Sequence, residues 1–195
     1  MRFSGTSVDG ARLIELDRHE DARGFFARLW CRNEVGVQGL TASVAQVNVT
    51  WNPAKGTLRG LHWQESPHEE AKVVFCARGA IFDVAVDLRP SSPTYGQWVG
   101  VTLGAEEFRL FYIPEGCAHG YQTLREETVV VYQTTEPYAP DHERGVRWND
   151  PAFNIDWPPF ADLTISAKDL AWPDYQLVTP PATRESATCA LGEHA

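Results

Sequence analysis

Between Gly56 and Lys72 the chain reads Gly-Thr-Leu-Arg-Gly-Leu-His-Trp-Gln-Glu-Ser-Pro-His-Glu-Glu-Ala-Lys, which brings Arg59, His62 and Lys72 into one short stretch. Arg59 offers a guanidinium to an anionic ligand, and His62 offers an imidazole that can act as a base near neutral pH. Lys72 adds a second cation for negative charge that develops during a reaction. The stretch reads as the start of a β-hairpin. A second glycine-framed segment, Pro114-Glu-Gly-Cys-Ala-His119, adds another imidazole.

These side chains need a scaffold, and 195 residues with 43% hydrophobic content and seven tryptophans suffice for one substantial core. A single domain over residues 1–177 is expected. From about residue 43 to residue 133, short β-branched and aromatic runs alternate with Gly, Pro, Ser and Asn clusters, the pattern of an all-β sandwich or barrel. Ala80-Ile-Phe-Asp-Val-Ala-Val-Asp-Leu88 places Phe82, Val84, Val86 and Leu88 on one face and Asp83 and Asp87 on the other. The aspartates suit a polar cavity face and a solvated face equally. Trp98–Leu103, Phe108–Ile113 and Thr128–Gln133 read as further strands. No helical period is visible before residue 150. The Pro-rich stretch holding Trp157-Pro-Pro and Trp172-Pro predicts loops and a short helical turn packed on the barrel. Residues 178–195 read as a disordered tail.

A net charge of −9 argues against nucleic-acid or anionic-membrane partners, so any bound anion must be held by a few placed cations. There is no membrane-length apolar run, and Met-Arg-Phe-Ser-Gly-Thr-Ser lacks a signal-peptide core, so a cytoplasmic protein is expected. Cys31, Cys76, Cys117 and Cys189 form no CxxC pair and are expected as reduced thiols. Cys76 and Cys117 read as small core residues; the sharper alternative is a reactive Cys117 next to His119.

Gly56 followed by His62, together with Pro-x-Gly-x-x-His119, resembles the paired motifs of the cupin superfamily, which implies a double-stranded β-helix or jelly roll around a ligand cavity. Metal-binding cupins carry His-x-His on the first motif, whereas this chain has His62-Trp-Gln64. An amide oxygen is a poor ligand for a soft metal, so no metal and no cofactor are expected.

The resemblance narrows to the dTDP-4-dehydrorhamnose 3,5-epimerase family over residues 13 to 173. It rests on Asp21-Ala-Arg-Gly-Phe-Phe26, Gln46-Val-Asn48, Lys55-Gly-Thr-Leu-Arg-Gly-Leu-His-Trp-Gln64, Asp83-Val-Ala-Val-Asp-Leu-Arg89 and Ser92-Pro-Thr-Tyr-Gly-Gln-Trp98. Further matches are Ile113-Pro-Glu-Gly-Cys-Ala-His-Gly120, Tyr132, Tyr138-Ala-Pro, Glu143-Arg-Gly-Val-Arg-Trp-Asn-Asp-Pro151 and Ser166-Ala-Lys-Asp169. The family implies an epimerase acting on an NDP-4-keto-6-deoxyhexose at C3 and C5. The alternatives are a single-carbon epimerase, a metal-dependent cupin oxygenase and a non-catalytic sugar-binding jelly roll.

Hydrogens next to a ketone are acidic, so His62 suits a general base and Lys72 suits the enolate oxygen. The resemblance assigns Asp169 as the partner of His62, and Tyr138, with Tyr132, as the acid on the opposite face. Tyr132 reads equally as a core residue of its valine-rich strand. Arg59 and Arg23 are candidates for the diphosphate. The resemblance places His119 in the sugar pocket, puts Gln46 and Asn48 near the nucleotide, and includes Glu143. It implies a homodimer in which the N-terminal strand bearing Arg23 and Phe26 enters the partner's site. Arg28 departs from the family, which has glutamate at Phe-Phe-x-Glu; a group with donors only cannot replace an acceptor in kind. It is open to another base, to phosphate, or to pointing away. Lys168 reads as a surface charge and His68 as exposed.

Overall fold

The structure is a computed structural model that describes residues 1–178; the expected tail falls, beyond Val178, outside the described residues. In chain order the first elements are β1 (Arg2–Gly5), β2 (Arg12–Glu15), the hairpin β3 (Arg18–Asp21) and β4 (Gly24–Ala27), and helix α1 (Arg32–Val37). Then come β5 (Gln46–Asn52), β6 (Thr57–Gln64), β7 (Lys72–Arg78), β8 (Ala80–Asp87), β9 (Trp98–Gly104), β10 (Arg109–Ile113), β11 (Cys117–Thr123) and β12 (Thr128–Thr134). A 3-10 turn (Pro140–His142), β13 (Glu143–Gly145), β14 (Thr164–Ile165) and helix α2 (Ala167–Leu170) follow.

One sheet runs β1-β2-β10-β7-β12-β5 and the other β13-β6-β11-β8-β9, with β14 added parallel to the first residues of β6. The described strands otherwise pair antiparallel, and Val74, Cys76, Phe111 and Val130 of the first sheet pack on Ile81, Ala85, Leu103 and Tyr121 of the second. This is the expected all-β jelly roll. No helix among the described residues is long and apolar enough to cross a membrane.

Two local expectations are corrected. The stretch from Gly56 to Lys72 is not a hairpin, because β6 and β7 belong to different sheets and the chain crosses between them. Short-range spacing resembles a hairpin, but the partners of each strand come from remote segments. Helix α1 also lies before residue 150, against expectation; it has six residues and buries only Val35, too little for a helical period to show.

The alternation in β8 is real, but its meaning differs from a simple core face. Val84, Val86 and Leu88 are buried beneath the C-terminal segment with Phe153, Ile155, Trp157 and Tyr175, while Ile81, Asp83 and Ala85 face the interior between the sheets. Each aliphatic side chain so buried contributes about 1.5–3 kcal/mol. Neither aspartate is solvated: Asp83 meets His119, and Asp87 accepts from Arg89, Ser92 and Thr94. The C-terminal layer thus serves as a second core, built from residues 152–157 and Tyr175, while the expected short helical turn is α2, which packs on β6 and buries only Asp169.

At the contact of β6 with β11 two glycines allow close approach. A Cβ on Gly60, whose φ is +111°, would lie 2.6 Å from Gly120 Cα and from the His119 carbonyl oxygen. That closeness sets Arg59 and His62 on β6 beside His119 and Tyr121 on β11, and the register shifts between His119 and Tyr121.

Candidate active site

β6 carries Arg59 and His62, and β14 pins α2 against it. The Ser166 hydroxyl caps α2 by accepting from the Asp169 amide at 3.1 Å. Asp169 Oδ1 then lies 2.7 Å from His62 Nε2, and Oδ2 accepts from the Gly60 amide at 3.4 Å. With Nε2 engaged, Nδ1 is the ring nitrogen left for a substrate. Burial pushes the Asp169 carboxyl up, but the His62 hydrogen bond and charge, with the Gly60 and Ser166 contacts, outweigh it and hold it below the usual range. Asp169 is therefore ionised at neutral pH. Trp172 packs edge-on to His62 with ring centroids 6.3 Å apart, in space that the absent side chain of Gly145 leaves free.

His62, Lys72 and Tyr132 line both lobes of one site. A lobe of about 480 Å³ adds Arg59, His119, Lys168 and Asp169. A lobe of about 390 Å³ adds Gln46, Asn48, Glu70, Tyr138 and Glu143. Such volumes are in the range of small-molecule and cofactor sites.

Lys72 is buried and donates to Glu70 Oε1 at 2.5 Å and to the His62 carbonyl at 3.3 Å. The second Glu70 oxygen is buried without a partner among the described residues. Arg59 is exposed to the cavity and is braced through Nε by Asn52 Oδ1 at 2.9 Å, leaving its terminal nitrogens for an anion. His119 Nε2 is 2.6 Å from Asp83 Oδ1. Burial drives the Asp83 carboxyl upward, and His119 only partly opposes this.

Tyr132 is half-buried, faces both lobes, and its hydroxyl makes no hydrogen bond among the described residues; burial raises its pKa. The Tyr138 hydroxyl donates to Glu143 Oε2 at 2.6 Å, which raises the phenol, and Lys168 donates to the same oxygen at 2.6 Å. Both phenols keep their protons at neutral pH. Asn48 lines the second lobe, while Gln46 Oε1 accepts the Tyr138 amide at 2.6 Å.

Arg23, Phe26 and Arg28 lie outside the cavity of the single chain. Arg23 pairs with Asp21, Phe26 is 68% exposed, and Arg28 pairs with Glu34 at 2.7 Å. Glu34 also accepts from the Met1 ammonium and is held down to about 2 by that bond and by Arg28. The reactive reading of Cys117 is corrected: the thiol is buried and pushed up to about 12 by desolvation, so Cys117, like Cys76, is core.

Glu70, Asn52 and Lys168 were not legible as site residues. Glu70 lies just before β7, where no strand alternation assigns a face, and Lys168 gains its place only through Glu143. Gln64, expected as a missing ligand, instead spends its amide on His68, Pro137 and Ala139. No three His, Cys, Asp or Glu side chains among the described residues are grouped as a metal ion requires. His68 is half-buried, its ring 4.5 Å from that of His142.

The family model for dTDP-4-dehydrorhamnose 3,5-epimerase matches residues 5–176. A curated relative of that name from Methanothermobacter thermautotrophicus is 46% identical over 174 residues, covering 88% of this chain and 92% of its own. The crystal structure of the dTDP-4-dehydrorhamnose 3,5-epimerase from Elizabethkingia anophelis superposes with a TM-score of 0.87 at 37% identity, covering 90% of this chain and 96% of its own. ChmJ, a 3'-monoepimerase from Streptomyces bikiniensis solved with dTDP-quinovose, superposes at 0.78 with 36% identity, covering 87% and 85%. With the His–Asp pair, the buried lysine and the phenols on one cavity, these matches place the chain in the dTDP-4-dehydrorhamnose 3,5-epimerase family, isomerases that act on nucleotide sugars.

Proposed function

We propose that this chain inverts C3 and C5 of an NDP-4-keto-6-deoxyhexose, with dTDP-4-dehydro-6-deoxyglucose as substrate and dTDP-4-dehydrorhamnose as product. The observation that carries it is the His62–Asp169 pair, which engages Nε2 and leaves Nδ1 without a hydrogen bond among the described residues, on a histidine that lines the cavity together with Lys72 and Tyr138. His62 Nδ1 takes the proton next to the ketone, and the C–H electrons form the enolate double bond. The 4-oxygen gains negative charge, which the Lys72 ammonium stabilises more in the transition state than in the ground state. The Tyr138 phenol returns a proton to the carbon from the other face, the ketone re-forms, and solvent resets the imidazolium and phenolate. Tyr132 lines the same space beside Lys72. Arg59 holds the diphosphate, and His119, oriented by Asp83, contacts the sugar.

The second chain of a homodimer supplies the remaining nucleotide contacts. Supporting this, β5 is an edge strand whose Val47, Val49 and Trp51 are 60%, 67% and 58% exposed, and the hairpin carrying Arg23 and Phe26 extends outside its own chain's cavity. Asn48, Phe26 and Arg28 then frame the nucleoside and Arg23 joins Arg59 at the diphosphate, with Arg28 offering donors where the family resemblance leads one to expect the acceptor of a glutamate. Sedimentation at twice the mass of the chain is the expected result; a monomer at micromolar concentration would remove these residues from the site.

The decisive experiment is incubation with dTDP-4-keto-6-deoxyglucose in D₂O. Deuterium is expected at both C3 and C5. Incorporation at one carbon alone favours the single-carbon reading that the ChmJ likeness supports, and none with dTDP, CDP, GDP or UDP sugars alike rejects the activity.

A further inference from the structure

Gln64 is 4% exposed, and its amide meets three backbone groups. The Ala139 N–H at 2.6 Å can only donate, so it faces Oε1; Nε2 is left to donate to the His68 carbonyl at 2.8 Å and the Pro137 carbonyl at 3.2 Å. The side chain thus grips the peptide groups on both sides of Tyr138.

The run 136–139 belongs to no helix or strand. Its backbone polar groups are satisfied largely by side chains: Gln64 takes Pro137 and Ala139, Gln46 takes the Tyr138 amide, and the Thr134 hydroxyl takes the Glu136 carbonyl. Little packing holds the Tyr138 ring, which is 57% exposed and makes one hydrogen bond, to Glu143. The ring therefore sits where the backbone puts it, and the backbone sits where Gln64 ties it. Only an amide can serve, because it accepts and donates at once. A carboxylate has no donor, and an imidazole has too few groups for three partners.

We infer that Gln64 is a positioning residue for Tyr138: by clamping Pro137 and Ala139 it sets the phenol over the cavity and so controls return of the proton to the sugar. This rests on the epimerase reading. It also gives the residue at the broken His-x-His position a task of its own, transmitted across the cavity wall from β6.

The test is Gln64→Met, which keeps the length and removes every polar contact. In the unliganded protein, amide hydrogen exchange at Tyr138 and Ala139 is expected to accelerate by about tenfold or more, with exchange in β6 and β11 unchanged. In turnover, kcat is expected to fall about 10- to 100-fold with KM within about threefold, as displacement of a reacting group predicts. In a Tyr138→Phe background the same change should alter kcat by less than about twofold, since a residue acting through the phenol has nothing left to act on. Gln64→Asn, which keeps the amide but is one methylene too short to reach all three partners, should fall between wild type and Gln64→Met, and it serves if the methionine variant does not fold. Unchanged amide exchange, or an equal loss of kcat in both backgrounds, overturns the inference. If the wild-type protein turns over no sugar, the epimerase reading fails, while the amide measurement still decides whether Gln64 holds the loop.

Discussion

Replacing His62 by alanine is expected to lower kcat by about 10³-fold while the Kd for the nucleotide sugar changes less than about threefold. His62 lines the cavity with Nε2 on Asp169 and Nδ1 unengaged among the described residues, so the variant loses the proposed proton acceptor, whereas Arg59 and its Asn52 brace stay in place. Deuterium incorporation from D₂O and equilibrium binding, measured on the same preparation, separate the two effects. Near-normal incorporation in the variant would falsify the assignment of His62 as base. The partner carboxylate should hold throughout the neutral range. Asp169 is depressed below its ordinary value, so the stability it contributes is present above the unfolded carboxylate pKa and is lost as pH falls through the folded one. Acid, not neutral pH, dismantles the pair.

Lys72→Met is expected to act twice. Loss of the ammonium at the enolate oxygen should cost about 10²- to 10³-fold in kcat. It also strands Glu70, whose side chain is 6% exposed and whose other oxygen already lacks a partner, at about 3–5 kcal/mol of stability. The double variant Lys72→Met, Glu70→Gln removes the stranded charge, so urea denaturation should show most of the stability restored while kcat stays low. If activity returns along with stability, Lys72 is a structural cation and another group stabilises the enolate.

Both predictions depend on contacts of different legibility. The strands and the buried apolar face of β8 follow from alternation and β-branched composition, which act over a few residues. β6 and β7 lie close in sequence, which suggests a hairpin. The two strands instead turn out to belong to opposite sheets, because each finds better partners far along the chain. Helix α1 has no sequence signature because six residues with one buried side chain carry no period. The apolar neighbours of Cys76 and Cys117 are enough to mark these two thiols as core, as their burial shows.

Residue types and local pattern carry the chemical groups and the scaffold type: an imidazole, two cations and phenols on an all-β chain, with Gln64 in place of a ligand histidine. Which of these groups meet is set by the fold. His62 and Asp169 are separated by 107 positions, His119 and Asp83 by 36, and Gln64 and Ala139 by 75. Local pattern dictates which face a side chain takes, but pairing across such distances is set by sheet order, by the glycine contact of β6 with β11, and by the β14–α2 clamp. Those features arise from the packing of the whole chain, so a ligand position that looked damaged in sequence emerges, once folded, as the fastening of the loop that bears Tyr138.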